Sequence, residues 1–148
     1  MAKATLKVFT IGYEGATQAE LIAALAEAGV RQVIDVRAVP LSRRPGFSKN
    51  VLAAGLAEAG IGYTLLKQLG TPPDGREAAR KKRWADLERI YAAQLATPPA
   101  IEAAEQMLDI AARTPSALLC FERMPGECHR SLLLDSVAPN AEVVDLFA

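Results

Sequence analysis

The chain lacks several features that would narrow its function at once. Its 17 lysines and arginines balance 17 aspartates and glutamates, so no overall field draws it to nucleic acid or to a membrane surface. No apolar run approaches the roughly 20 residues of a membrane span, and we expect no membrane association. Neither GxGxxG after a strand nor GxxxxGKS/T is present, so the usual motifs of dinucleotide and Walker-type sites are missing. Any anion site must therefore be local.

Cysteine and histidine are also scarce, with two residues and one residue respectively. They form neither the CxxC pair nor the HExxH helix of zinc sites, so we expect no bound metal and no cofactor. The first seven residues are too short and polar for a signal peptide, and we expect a cytoplasmic location. Thiols are kept reduced there, so we expect Cys120 and Cys128 to be free, although their spacing permits a disulfide across a turn.

Five short runs of apolar and β-branched residues predict strands. They cover residues 7–11, 33–37, 61–66, 117–121 and 142–146. Helical patterns separate these runs, with a capping box from Thr17 to Glu20 and a glycine stop at Gly29. This alternation predicts a single α/β domain over residues 1–148. We expect a three-layer, doubly wound, Rossmann-like fold, with a mainly parallel five-stranded sheet and helices on both faces.

The longest stretch without a strand runs from Gly70 to Thr114. It opens with a loop rich in proline and glycine that extends to Gly75. From Glu77 the spacing of apolar residues predicts a helix with Trp84, Leu87, Tyr91 and Leu95 on one side. We interpret this insertion either as a lid over a site or, through exposed apolar positions, as the face of a homodimer.

Both cysteines and the histidine lie between Cys120 and Arg130, where a buried strand leads into a helix. Such turns usually hold ligands in α/β proteins. Cys128, at the helix N-terminus, is either a nucleophile favoured as thiolate or a small buried side chain. His129 is either a base or a structural hydrogen-bonding group, and Glu122 is either a general base or an ion-pair partner. The residues predicted to react are Glu122, Cys128 and His129.

Polar residues follow several of the predicted strands. Because the carboxyl ends of parallel strands lie along one edge of a sheet, we expect these residues to meet in one cleft. Guanidinium groups and a helix N-terminus together favour a phosphate or a carboxylate. The residues predicted to bind this anion are Tyr13, Glu14, Asp35, Arg37, Arg43 and Arg130.

The combination of these motifs extends through nearly the whole chain. They are Thr10-Ile11-Gly12-Tyr13-Glu14, Asp35-Val36-Arg37, Gly46-Phe47-Ser48, Gly60-Ile61-Gly62-Tyr63, Cys120-Phe121-Glu122 and Cys128-His129-Arg130. In this order they resemble the bacterial and archaeal family called domain of unknown function 488. The resemblance implies a small α/β fold with its motifs at the strand ends, and it implies no reaction. Members often have His-Ser where this chain has Tyr13-Glu14, so this turn either has no catalytic role or meets a different ligand.

The sequence leaves more than one function open. The first is an enzyme that acts on a small ligand bearing phosphate or carboxylate, with Glu122 or Cys128 reacting and the arginines binding. The second is a non-catalytic module for a nucleotide, a nucleic-acid end or a protein partner. Broad binding to duplexes needs several phosphate contacts, which the balanced charge disfavours. A metal-dependent hydrolase is a weaker third hypothesis.

Overall fold

The computed structural model describes residues 6–148, and within them it has five strands and six α-helices. The strands are β1 (Lys7–Gly12), β2 (Gln32–Asp35), β3 (Gly62–Leu65), β4 (Ser116–Cys120) and β5 (Glu142–Phe147). The helices are α1 (Gln18–Glu27), α2 (Lys49–Glu58), α3 (Pro73–Arg80), α4 (Trp84–Leu95), α5 (Pro98–Arg113) and α6 (His129–Val137). The first five residues, to which part of the signal-peptide argument applies, lie outside the described range.

The strands form one sheet in the order β3-β2-β4-β1-β5, and every neighbouring pair is parallel. This confirms the predicted fold class. All five residues of β4 are buried, as expected for a central strand that is covered on both faces. In the register of the sheet, Gly12 of β1 lies beside Cys120 of β4, and Asp35 of β2 lies beside Leu119. The sheet therefore brings the carboxyl ends of β1, β2 and β4 to one edge.

Helices cover both faces of the sheet, and each face has its own apolar core. Leu21 of α1 and Leu56 of α2 belong to one core, together with Ile11. Met107 of α5 and Leu133 of α6 belong to the other. The connections after β1 and β2 thus lie on one face, and the connection after β4 lies on the opposite face. A crevice opens at such a switch point, beyond the carboxyl end of β4.

The helical insertion differs from the sequence prediction. One helix was predicted from Glu77 to Leu95, whereas the structure has two, α3 and α4. They are separated at Lys82, which has a φ of 56°, in the left-handed region that ends helices. In addition, α3 begins at Pro73, inside the predicted loop, because proline is well tolerated in a first helical turn.

The apolar side of α4 faces the interior. Leu87 and Tyr91 are buried, and Leu95 packs against the core, while Trp84 is 41% exposed. The side that was interpreted as a dimer face is thus largely used within the chain, and a homodimer stays a prediction. None of the helices within residues 6–148 has both the length and the apolar character needed to cross a bilayer.

Candidate functional site

A cleft of about 530 Å³ lies at the carboxyl edge of the sheet. One side consists of residues that follow β1, β2 and β4, and the other side is formed by α3, the start of α4 and the residues that join them. Its polar lining consists of Tyr13, Arg37, Thr71, Arg76, Arg80, Lys82, Glu122 and His129. Its other lining residues include Trp84, Phe121 and Cys120. Switch points of α/β sheets and pockets of this size are where small ligands usually bind.

Asp35 and Arg37 form a buried ion pair beneath the cleft. Arg37 Nη2 lies 2.7 Å from Asp35 Oδ2, and Nε donates to Oδ1 at 2.9 Å. Arg37 Nη1 donates to the Phe47 carbonyl at 2.7 Å, and the Tyr63 hydroxyl donates to Asp35 Oδ2 at 2.5 Å. Burial alone would lower the pKa of Arg37, but the hydrogen bonds and charge of Asp35 raise it above its ordinary value. Arg37 is therefore engaged by the protein's own groups.

Tyr13 joins this network to the cleft. Its ring stacks on Phe47 with centroids 4.5 Å apart, and it meets the ring of Phe121 edge-on at 5.3 Å. Arg37 Nη1 lies 3.3 Å from its hydroxyl oxygen. The side chain is buried, so Tyr13 contributes a fixed aromatic surface to the cleft.

His129 is held in one tautomer by the backbone. Its Nε2 lies 2.8 Å from the Val36 carbonyl oxygen, which can only accept, so the proton is on Nε2. Nδ1 lies 3.6 Å from Cys128 Sγ. Burial is the main cause that lowers the pKa of His129 to about 4, with a further contribution from the charge of Arg130. At neutral pH the imidazole is uncharged, and Nδ1 is its basic nitrogen.

Cys120 and Cys128 are joined by a disulfide, so the expectation of free thiols is wrong for this structure. Cys120 ends β4, and the chain returns through a short 3-10 turn to Cys128, which caps α6. This return brings the two side chains together across the strand-to-helix turn. Cys128 cannot act as a nucleophile in this form, although its Sγ still accepts the backbone N–H of Arg130 at 3.5 Å.

Arg130 is fully buried and is not among the residues that line the cleft. Its Nη1 donates to Cys120 Sγ at 2.7 Å and to the Glu122 carbonyl at 2.5 Å, and Nη2 donates to the Arg123 carbonyl at 3.0 Å. Burial lowers its pKa, against the attraction of Asp145 and Glu122. The guanidinium thus holds the turn after β4.

Glu14 and Arg43 were also predicted to bind the anion, and the structure places both outside the cleft. Both side chains are exposed. Glu14 Oε1 accepts the backbone N–H of Arg123 at 3.0 Å, which ties the turn after β1 to the turn after β4. Neither residue is among those that line the cleft.

The comparisons with known proteins identify a family without a described activity. A family model described as "Domain of unknown function DUF488" matches residues 17–137. The chain belongs to this family. No curated protein matches the chain, and no solved structure matches it either. The DUF488 match includes the strand ends of β2 and β4 and all of α3 and α4. The turn that carries Tyr13 and Glu14 precedes it.

Sequence reasoning missed the cations that this DUF488 chain contributes from its helical insertion. Arg76 and Arg80 are one helical turn apart on α3, and Lys82 follows in the connection to α4. We call these three residues the cationic side of the cleft. The i,i+4 spacing of Arg76 and Arg80, within an insertion interpreted as a lid or a dimer face, was the feature of the sequence that could have indicated them. Exposed charges on a helix usually indicate only a solvated face, so the pattern alone did not single them out.

One group of residues in this DUF488 chain has donor atoms suited to a metal. Within the described residues, Cys120, Glu122 and Cys128 offer atoms that all lie within 4.8 Å of one another. Thiolate sulfur and carboxylate oxygen suit zinc. However, the two sulfurs are bonded to each other here, and a disulfide is not a thiolate ligand. The group fits a metal only after reduction, and the expected absence of a metal stays a prediction.

Proposed function

We propose that this protein binds a small ligand bearing phosphate or carboxylate in the cleft and acts on it as an enzyme. The observation that carries this proposal is the cationic side of the cleft, which lines the same cavity as aromatic residues and Glu122. Arg76, Arg80 and Lys82 supply positive charge at one place in a chain without net charge. Guanidinium and ammonium groups bind phosphate and carboxylate oxygens through charge-assisted hydrogen bonds.

The aromatic residues of the cleft indicate the rest of the ligand. Trp84, Phe121 and Tyr13 all line it, and the first two are about two-fifths exposed, at 41% and 42%. Aromatic surface of this kind binds flat or apolar groups. A nucleotide-like molecule, with a planar ring and an anionic group, suits this combination.

Glu122 and His129 are the groups that we assign to the reaction. Both line the same cleft as the cations. A carboxylate can accept a proton from water or from a ligand hydroxyl as a general base. His129 is neutral and donates Nε2–H to Val36, so its role is to accept a proton at Nδ1 rather than to supply one. Cys128 is not among the lining residues, and it can act as a nucleophile only when the disulfide is reduced.

Binding is tested with AMP and adenosine, which share a ring and differ in the phosphate. Trp84 is the only tryptophan of the chain and lies in the cleft, so its fluorescence reports occupancy. We expect AMP to change the emission in a saturable way, at least about tenfold more tightly than adenosine. Equal affinity for the two ligands, or no saturable change with AMP, would contradict the proposal.

A non-catalytic binding module is the second candidate, and one observation favours it. Two of the three groups predicted to react are engaged in this structure, since Cys128 is in a disulfide and His129 bonds to the backbone. Phosphorus NMR of AMP with the protein, under reducing conditions and without reductant, separates the two functions. Turnover that is lost in Glu122→Gln while AMP still binds supports the enzyme. Binding without turnover in either condition supports the module.

A further inference from the structure

The Cys120–Cys128 disulfide lies at the inner wall of the cleft. Cys120 is one of the lining residues, although only 1% of its surface is exposed, whereas Cys128 is not among them. We propose that this disulfide is a thiol–disulfide exchange centre that is reduced by small anionic thiols entering the cleft. This activity goes beyond the proposed function, because it uses the sulfur pair rather than the ligand's phosphate or carboxylate.

Arg130 prepares Cys120 for release as a thiolate. Its guanidinium is fully buried, and Nη1 lies 2.7 Å from Cys120 Sγ. The other hydrogen bonds described for the guanidinium go to neutral carbonyl oxygens, of Glu122 and Arg123. When a mixed disulfide at Cys120 is cleaved, the negative charge on Cys120 would therefore arise against a cation that is already in contact. Cations at this distance favour thiolate over thiol.

The N-terminus of α6 favours a thiolate at Cys128. This residue caps the nine-residue helix α6, and its Sγ accepts the Arg130 backbone N–H. The N-terminus of a helix carries partial positive charge, which favours a thiolate at this position. His129 Nδ1 lies 3.6 Å away and carries no proton, so it can accept a hydrogen bond from a Cys128 thiol. Both sulfurs thus have a group beside them that supports the reduced state.

The exchange runs in two steps that balance. A small thiolate in the cleft attacks Cys120 Sγ, the S–S bond breaks, and its electron pair goes to Cys128 Sγ as a thiolate. A second small thiolate then attacks the sulfur of the bound reagent and releases Cys120 as a thiolate beside Arg130. The small thiol is oxidised to its own disulfide by two electrons, and the protein disulfide gains them. Well-stabilised thiolates are good leaving groups, which favours both steps.

The cationic side of the cleft determines which thiols react fastest. Arg76, Arg80 and Lys82 line the same cavity as Cys120, so a thiol with a negative charge is concentrated there and a positive one is repelled. Salt screens this effect.

The rate of reduction is measured on the full chain with three probes of similar size. They are 2-mercaptoethanesulfonate, which is anionic, 2-mercaptoethanol, which is neutral, and cysteamine, which is cationic. Samples are quenched with a polyethylene-glycol maleimide, and the fraction of reduced protein is measured by gel shift. Each rate is corrected for the fraction of the probe that is present as thiolate. We expect the anionic probe to react at least about threefold faster than the neutral one, and the cationic probe slowest, at low salt. The differences should vanish near 1 M salt.

Two variants make this test specific. In Arg80→Gln/Lys82→Gln the differences in reduction rate among the three probes should become small. In Arg31→Gln they should persist, because Arg31 is exposed just before β2, at the opposite edge of the sheet. Equal rates for the three probes in the unaltered protein would overturn the proposal. So would two free thiols in protein purified without reductant, or stoichiometric zinc released when the thiols are blocked.

Single-cysteine variants test which sulfur is attacked. With the oxidised anionic probe, Cys128→Ser should form a mixed disulfide at Cys120, detected by intact mass. Cys120→Ser should react at least about tenfold more slowly, since Cys128 does not line the cleft. Faster reaction at Cys128 would overturn the assignment. AMP binding is measured on the same samples, so loss of exchange with retained AMP binding separates failure of this proposal from failure of the proposed function.

Discussion

Asp35 supplies the negative charge of the buried network. It is fully buried and accepts hydrogen bonds from Arg37 and Tyr63. Asp35→Asn keeps the shape but leaves the guanidinium of Arg37 buried without its counter-charge. We expect a loss of about 3 kcal/mol or more in the free energy of unfolding, measured by urea denaturation.

The matched control for Asp35 is an ion pair at the surface. Glu77 and Lys81 form an exposed i,i+4 pair on α3 and the following residue. Glu77→Gln removes a charge of the same sign, and we expect little measurable change in stability. An equal loss in the two variants would show that burial of Asp35 does not determine its contribution.

His129 should make the stability of the folded protein depend on pH. Its pKa falls from 6.5 to about 4 on folding, mainly through burial. Between these values the unfolded chain binds a proton that the folded chain does not, so stability should fall as the pH falls through this window. The loss attributable to His129 is at most about 3 kcal/mol.

The variant His129→Gln isolates this effect. It can still donate to the Val36 carbonyl, but it does not titrate. Urea unfolding at several pH values should show the stability of the unaltered protein falling relative to the variant below pH 6.5, and the difference should level off near pH 4. Parallel curves for the two proteins would mean that His129 titrates normally.

Gly12 shows how tightly the turns after β1 and β4 pack. A Cβ built on Gly12 would lie 1.7 Å from the Glu122 carbonyl oxygen, which is an acceptor for Arg130. Gly12→Ala must therefore displace this turn, and we expect a loss of about 2 kcal/mol or more in unfolding free energy. At Gly126 a Cβ would have no neighbour within 4 Å, so Gly126→Ala is the control, with little change expected. Urea denaturation measures the unfolding free energy of the two variants. Equal losses would contradict the close packing at Gly12.

At the scale of elements, the strands could be predicted and the insertion only in part. Runs such as Val33-Ile34 and Leu118-Leu119 are apolar because their strands are buried on both faces, and alternation with helices requires parallel pairing. The break between α3 and α4 lies at Lys82, where neither glycine nor proline marks a left-handed residue. Nothing in the local sequence distinguishes this break from a continuous helix.

The position of the cleft could be predicted from the sequence, but the residues that line it less well. Strand ends in a parallel sheet must meet, so the cleft itself followed from the order of elements. Arginine side chains are long, however, and their destinations depend on tertiary partners. Arg37 and Arg130 turn inward, toward Asp35 and Cys120. The sequence could not indicate that these two arginines serve the framework while α3 supplies the exposed cations.

For the whole molecule, a neutral chain concentrates positive charge at one cleft. The switch point beside β4 creates the cavity, and Arg76, Arg80 and Lys82 bring charge to it from a separate insertion. The buried ion pair of Asp35 and Arg37 supports the floor of the cleft, and its two charges are paired with each other. The central claim is that this cavity recognises an anionic group.

Titration calorimetry with AMP tests that claim most directly, on the unaltered protein, on Arg80→Gln/Lys82→Gln and on Arg31→Gln. Removing two of the cations that we propose bind the phosphate should weaken AMP binding by about tenfold or more, with the fold and the affinity for adenosine unchanged. Arg31→Gln should bind AMP like the unaltered protein. Equal AMP affinity in all three proteins would contradict the account.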